Sequence, residues 1–207
     1  MAKDLNTEQK IKEAARKVFL KKGFAAARTR DIAEEAGINL ALLNYYFRSK
    51  EKLFRQIMEE SLHTFFSSVL PTMSDPNVSL RDKVPFFVNS YTDVLISNPE
   101  LPVFILSELR NDPDHIVQTL QMNKRLNLSV LFGQIMEAQQ KGEMIPLQPW
   151  NFLLNLLSLT VFPFIARPLI QRLSDTNDEQ FKQLVEERKA MIKAMVMGYV
   201  FTEKGKG

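Results

Sequence analysis

The sequence predicts an all-α protein with a small helical domain over residues 1–50 and a larger helical domain over residues 51–207. Apolar residues recur at spacings of three and four along most of the chain, and no stretch alternates apolar with polar residues as a half-buried strand would. Glycine, proline and Ser/Asn/Asp residues separate these periodic segments where helices would begin and end. The composition, 45% hydrophobic and 25% charged, is that of a globular chain with a substantial core.

The first predicted helix covers residues 6–22 and is stopped by Gly23. Its apolar residues form one stripe, consisting of Ile11, Ala14, Ala15, Val18 and Phe19. Lys21 and Lys22 occupy the last turn, where cations suit the helix dipole. Gly23 follows as the C-terminal cap, since glycine adopts the left-handed conformation at low cost.

Three more helices are expected before residue 76. The second covers about 29–35 and is interrupted by Gly37, and the third begins near Asn39 and ends around Phe47. Ser49 caps a fourth helix, which Pro71 and Pro76 stop and which is expected to continue from the first domain into the second.

The remaining residues predict several longer helices. One runs from a cap at Ser79 to about residue 97, and another follows Asn98 through about residue 109. One or two helices end before Gly142, an apolar helix covers 150–166, and the last helix covers 178–201. The 150–166 helix is shorter than the roughly 20 apolar residues of a membrane span. We therefore expect a cytoplasmic protein, and the N-terminal residues show no secretory signal.

Composition argues against several classes of enzyme. The chain has no cysteine and two histidines, which excludes thiolate metal sites and cysteine nucleophiles and disfavours a histidine-rich metal site. Neither glycine-rich phosphate-binding pattern, GxGxxG or GxxxxGK[ST], occurs. The expectation is a protein without enzymatic activity and without a cofactor.

Charge is distributed unevenly along the chain. Residues 1–55 hold 13 Lys/Arg and 7 Asp/Glu, a net charge of +6, whereas residues 56–207 carry a net charge of −3. A basic first quarter on a slightly acidic remainder favours a polyanion-binding module at the N-terminus.

The segment 29–47 has the spacing of a helix-turn-helix. Ala33 is small where two helices cross closely, and Gly37 permits the positive φ that a tight turn needs. Ile32, Ile38 and Leu43 are predicted to face the first helix. The exposed face of the third helix, which can enter a DNA major groove, is then made of Leu40, Ala41, Asn44 and Tyr45.

These residues resemble the N-terminal pattern of the TetR family of transcriptional regulators. The matching segments are Gly23-Phe24, Arg30-Asp31-Ile32-Ala33, Ala36-Gly37-Ile38, Leu43-Asn44-Tyr45-Tyr46-Phe47 and Ser49-Lys50-Glu51-Lys52-Leu53. The resemblance covers about residues 8–55. It implies a DNA-binding domain followed by a helical domain that senses a ligand and dimerises, with a double-stranded DNA operator and a small-molecule effector as partners.

The resemblance also implies roles for single residues. Thr29 and Arg30 resemble DNA-contacting residues, Tyr45 and Tyr46 an aromatic pair that reaches phosphates, and Lys50 a lysine that meets the DNA backbone. Where the family usually has a threonine or serine cap, this chain has Arg28, so that either Arg28 donates to phosphate or the cap is lost.

Three residues of the third helix complete the predicted DNA-binding set. Asn39 lies at its start, and the family's frequent lysine and tyrosine in the third helix are Leu40 and Asn44 here. Asn44 can pair with adenine through N6 and N7, and Leu40 can contact a thymine methyl group. An incidental surface asparagine and leucine are the alternative interpretation.

For the larger domain, aromatic and methionine residues suggest an apolar ligand pocket, although ordinary core packing explains each of them singly. The pocket candidates are Phe65, Phe87, Tyr91, Phe104, Met122, Arg125, Phe132, Asn155 and Phe162. The last two long helices are the expected homodimer face. The predicted function is a ligand-responsive DNA-binding regulator, most simply a repressor released from a near-palindromic operator. The alternative is a helical adaptor or small-molecule-binding protein with a vestigial helix-turn-helix.

Overall fold

The computed structural model describes residues 2–99, 101–111, 113–114, 117 and 128–203. The described residues form helices, the turns that the structure describes between them, and one isolated antiparallel bridge, between Met144 and Phe201. The helices are α1 (Ala2–Ala26), α2 (Thr29–Ala36), α3 (Leu40–Tyr46), α4 (Lys50–Met73), α5 (Leu80–Ser97), α6 (Leu101–Asn111), α7 (Ser129–Gln140), α8 (Pro149–Ile165), α9 (Arg167–Ser174) and α10 (Asp178–Val200). The predicted all-α class is confirmed.

The chain divides into two compact units, Met1–His63 and Thr64–Gly207. The first unit therefore contains residues 51–63, which were expected in the second domain. The division into functional domains at residue 50 stays a prediction.

The first unit is built on the apolar stripe predicted for α1. Ile11 and Ala15 of this helix are fully buried, together with Ile32 of α2, Leu43 of α3 and Leu53 of α4. The α1 helix extends beyond the predicted 6–22, but its backbone leaves the helical conformation at Gly23 (φ 74°, ψ 160°). The expected break at Gly23 is therefore present.

The second unit packs its core between α5, α7, α8 and α10. Val84, Val88, Leu131, Ile135 and Leu156 are all fully buried there. Caps begin two of its helices. The predicted cap, Ser79, accepts from the Asp82 N–H through its hydroxyl at 3.1 Å. Asn177, which was not predicted as a cap, accepts from the Gln180 N–H at 2.9 Å.

Two expectations about helix ends are wrong. Pro71 does not stop α4, which continues to Met73. A proline after the first turn removes one intrahelical hydrogen bond and crowds the carbonyl of the preceding turn, and α4 ends two residues after Pro71. The short helix α9 lies where the sequence analysis placed none, and Pro168 occupies its first turn, the position at which proline suits a helix.

No single helix among the described residues is both long and apolar enough to span a membrane. The pair α8 and α9, bent by 61° at the break, has the length and composition of a broken span.

Candidate nucleic-acid interface

The turn between α2 and α3 has the geometry that Gly37 was expected to supply. Gly37 adopts the left-handed conformation (φ 63°, ψ 39°). The Ile38 N–H donates to the Ala33 carbonyl and the Gly37 N–H to the Glu34 carbonyl, both at 3.0 Å, which closes the end of α2. A residue with a Cβ would be strained at this φ. Ala33 is buried at this turn as predicted, and Ile38 is half-buried.

The α3 helix is fixed from both ends. The Asn39 side-chain oxygen accepts from the Leu42 N–H at 2.8 Å, and the Phe47 N–H donates to the Leu43 carbonyl at 2.8 Å. Leu43 is fully buried and Phe47 is 5% exposed, so the two residues anchor the inner face of α3. The oxygen of Asn39, one of the predicted DNA-binding residues, is thus used within the protein.

The outer face of α3 is polar and aromatic. Ala41 and Asn44 are exposed, Tyr45 is 79% exposed, and Leu40 is half-buried. The rings of Tyr45 and Tyr46 meet edge to face, with centroids 5.4 Å apart. Within the first unit, this helix therefore offers a free surface with hydrogen-bonding groups at Asn44 and Tyr45.

The start of α2 carries two exposed cations, Arg28 and Arg30, beside the half-exposed Thr29. Arg28 occupies the cap position, but its side chain has no acceptor and makes no capping hydrogen bond. The reciprocal hydrogen bond is present, from the Arg28 N–H to the Asp31 carboxylate at 3.0 Å. The Thr or Ser cap is therefore lost, and the Arg28 guanidinium projects from the surface.

The Asp31 carboxylate links the start of α2 to α1. Asp31 was not predicted as a functional residue. Its carboxylate also pairs with the Lys22 ammonium at 3.0 Å. The hydrogen bond from Lys22, followed by that from the Arg28 N–H, holds the pKa of Asp31 below its usual value. The available signal was an aspartate three residues after the cap position, the pattern of a capping box.

Lys50, to which the resemblance gives a contact with the DNA backbone, has its ammonium engaged by groups of its own protein. Its ammonium donates to the carbonyl oxygens of Phe24 at 2.8 Å and Ala27 at 3.0 Å. It also lies 4.4 Å from the centre of the Phe24 ring. The half-buried side chain is thus engaged by the end of α1 and the residue that follows it.

Of the nine residues predicted to line a ligand pocket, the structure describes five side chains, and it brings two of them into contact. Phe87 and Tyr91 are buried on α5, their rings 5.3 Å apart, and burial raises the pKa of Tyr91. Phe132 is half-buried against Trp150. Two other candidates point to solvent, since Asn155 is exposed and Phe162 is 63% exposed. Four lie outside the described residues or side chains, namely Phe65, Phe104, Met122 and Arg125.

A surface hollow of the second unit lies elsewhere, around the turn between α9 and α10. Its lining residues are Pro168, Gln171, Arg172, Asp175, Thr176, Asn177, Asp178 and Glu179. None of the predicted pocket residues contributes to it.

Comparison with known proteins places the first unit in a family. Residues 11–57 match the model of the bacterial regulatory proteins of the tetR family. The chain is 26% identical to the probable HTH-type transcriptional regulator YttP of Bacillus subtilis (strain 168), over 92% of this chain and 94% of that protein. It is 32% identical to the HTH-type transcriptional repressor NicS of Pseudomonas putida, over 62% of this chain and 57% of that protein.

Solved structures agree on the fold of the whole chain. A TetR family transcription regulator from Marinobacter aquaeolei VT8 superposes with a TM-score of 0.64 at 17% identity, covering 98% of this chain and 99% of the other. The regulator FadR from Bacillus subtilis, solved in complex with stearoyl-CoA, superposes with a TM-score of 0.59 at 18% identity, covering 90% and 97%. On its helix-turn-helix geometry and on these matches, the segment 11–57 is a DNA-binding domain of the tetR family, and the whole chain resembles transcriptional regulators of that family.

Proposed function

We propose that this chain is a ligand-responsive repressor that binds a near-palindromic operator as a homodimer and leaves it when a small molecule binds the second unit. The observation that carries the proposal is the outer face of α3, where Asn44 and Tyr45 are exposed beside the cations Arg28 and Arg30. The similarity to NicS, a transcriptional repressor, supports repression as the direction of regulation.

The side chains on the outer face of α3 contact the edges of the bases in this proposal. The Asn44 side chain can donate through its amide NH2 to N7 and accept through its amide oxygen from the N6 amino group, which suits adenine in the major groove. Leu40, half-buried at the start of α3, offers an apolar contact for a thymine methyl group. Ala41 leaves room for a base edge to approach the helix.

Phosphate contacts hold the same helix in register. Arg28 and Arg30 place their guanidinium groups at the exposed start of α2, where Thr29 adds a hydroxyl. Tyr45 and Tyr46 can donate their hydroxyls to a phosphate on the other side of α3. Such contacts orient the protein on DNA without reading sequence.

The dimer is proposed to form on α8 and α10, which together leave an apolar surface exposed in a single chain. Trp150, Leu154 and Phe162 repeat along α8, and Met195 is 53% exposed on α10 between Met191 and Tyr199. A contiguous apolar surface on a protein of this size favours an interface. Two-fold symmetry would present two recognition helices to two half-sites.

The effector is proposed to be apolar or amphipathic. FadR, which shares the fold, holds stearoyl-CoA. In this chain Phe87 and Tyr91 supply buried aromatic surface on α5, and Phe132 contacts Trp150. For release, the effector must bind more tightly to the conformation whose recognition helices fit the operator poorly.

Selection of bound fragments from random duplex DNA tests the proposal. We expect the wild-type chain to enrich a near-palindrome, and a triple variant, Arg28→Ala, Arg30→Ala and Tyr45→Phe, to enrich none. The matched control is Lys182→Ala, which removes one exposed cation from α10 and should leave the enrichment unchanged. If no sequence is enriched at moderate salt, the repressor proposal fails and the vestigial helix-turn-helix becomes the better interpretation.

Stearoyl-CoA, stearate and free CoA serve as probes of the effector class. Trp150 is the only tryptophan of the chain and its ring contacts Phe132, so its fluorescence reports changes at that pocket candidate and at the proposed dimer face, which release of DNA by the same probe complements. We expect an acyl probe to change the emission and to release the selected DNA. Release by free CoA alone would contradict an apolar effector.

A further inference from the structure

The Lys50 ammonium is surrounded by groups of its own protein. Two of its N–H groups point to the Phe24 and Ala27 carbonyl oxygens at 2.8 and 3.0 Å, and the Phe24 ring lies 4.4 Å below the charge. An ammonium has three donors. Two are therefore committed, and the ring occupies a further side of the cation.

The carbonyls that Lys50 binds belong to the break between α1 and α2. Gly23 leaves the helical conformation, and the Ala27 N–H returns to the Gly23 carbonyl at 3.1 Å. The Arg28 N–H, which would extend the helical pattern to the Phe24 carbonyl, donates instead to Asp31. Lys50 therefore supplies the donor for the Phe24 carbonyl that the Arg28 N–H does not supply.

The same junction is held by an aromatic cluster. The Phe24 ring lies 4.6 Å from that of Phe54 and 5.8 Å from that of Phe19, and Phe19 and Phe54 are 5.2 Å apart. Lys50 and Phe54 are four residues apart on α4, so they present one face of this helix to Phe24. The start of α4 therefore contacts the junction through the Lys50 ammonium and the Phe54 ring.

We propose that Lys50 is a positioning residue for DNA recognition and that its ammonium does not contact a DNA phosphate. By fixing the Phe24 and Ala27 carbonyls it sets the path of the chain into Arg28, Thr29 and Arg30. The orientation of α2 then follows from the start of α4. The inference rests on the proposed function, since it assigns Lys50 a role in placing the DNA-reading helices.

The test uses the full-length chain and the near-isosteric variant Lys50→Met, with Lys52→Met as control because Lys52 is exposed on the same turn of α4. Affinity is measured against a random-sequence duplex of 30 base pairs and against the selected near-palindrome, over a range of salt concentrations. Each phosphate contact contributes about 0.9 to the slope of log affinity against log salt.

We expect Lys50→Met to keep the salt slope of the wild type on the random duplex. Its preference for the selected sequence over the random one should fall about tenfold, the scale on which a misplaced base contact acts. Lys52→Met should leave that preference unchanged. Loss of preference at constant slope is expected when the base-reading side chains of α3 are misplaced, because the exposed Arg28 and Arg30 side chains can still reach phosphates of a random duplex.

Two outcomes would overturn the inference. A slope reduced by about 0.9 with the preference intact would make Lys50 a phosphate contact. Equal losses of affinity on both duplexes, with a lower melting temperature, would make it a merely structural residue. If the wild type selects no sequence, the proposed function fails by itself. The slope on the random duplex then still decides the phosphate question.

Discussion

Arg188 on α10 donates a hydrogen bond through Nη2 to the carbonyl oxygen of Leu159 on α8, at 3.2 Å. Pro163 lies four residues after Leu159 inside α8 and has no N–H, so the Leu159 carbonyl lacks the donor that a helix would otherwise supply. The arginine of one long helix thus satisfies a carbonyl that the proline of the other leaves free.

This relationship predicts non-additive effects of two substitutions. Arg188→Met should lower the free energy of unfolding by about 1–3 kcal/mol, because a half-buried carbonyl is left unsatisfied. In the Pro163→Ala background the Ala N–H can reach the Leu159 carbonyl. Arg188→Met should therefore lower the free energy of unfolding by clearly less in that background. Chemical denaturation of the four proteins of this cycle measures the coupling. Equal costs in both backgrounds would contradict the pairing.

Lys83 on α5 is fully buried, and its ammonium donates to the Gln134 side-chain oxygen at 2.7 Å. Burial lowers the pKa of Lys83, an effect that the charge of Asp75 partly opposes. The unfolded chain therefore binds the Lys83 proton more tightly than the folded protein does. Stability must rise with pH between the lowered folded pKa and the ordinary lysine value of 10.5.

The corresponding variant is Lys83→Met, which removes the titrating amine. Wild type should gain stability relative to the variant as pH rises toward 10.5, while groups common to both cancel in the difference. Urea unfolding at a series of pH values from neutral upward gives this difference directly. A flat or falling difference would show that the folded protein does not disfavour the charged lysine.

The face formed by α8 and α10 predicts how the oligomeric state responds to charge. Met195→Glu would place a carboxylate in the centre of the exposed stripe of α10, and we expect the dimer dissociation constant to rise at least tenfold. Ala190→Glu adds the same charge to an exposed position on another side of α10 and should leave the constant unchanged. Sedimentation velocity over a concentration series distinguishes the two. Equal effects of both variants would place the interface elsewhere.

The helix-turn-helix was predictable because its residues act locally. Gly37 is needed wherever a turn requires positive φ, and the helical spacing of Ile32 and Leu43 sets the buried face. The partners of Lys50 were not predictable, because the carbonyls of Phe24 and Ala27 become available only through the break at Gly23 and the donation of the Arg28 N–H to Asp31.

The second unit was harder to predict for a different reason. The α8 helix is apolar almost all round, so periodicity cannot tell which side faces the core of its own chain. The structure buries Phe152 and Leu156 and leaves Phe162 63% exposed, although Phe162 was a pocket candidate. That exposure fits the proposed dimer face better than an interior cavity.

Asn44 carries the sharpest prediction about sequence recognition. The side chain is exposed in the middle of the outer face of α3, and an amide is the group that pairs bidentately with adenine. Asn44→Ala should relax the selected sequence at one position of each half-site and cost about 1–3 kcal/mol on the preferred operator. The salt slope should stay at the wild-type value, because no phosphate contact is lost. Selection from random duplex DNA with the variant measures the relaxed position, and titration of the preferred operator over a range of salt concentrations measures the cost and the slope. An Asn44→Ala protein that enriches the wild-type sequence with unchanged discrimination at every position would show that this amide is an incidental surface group, and base reading would then have to come from Leu40, Ala41 or Tyr45.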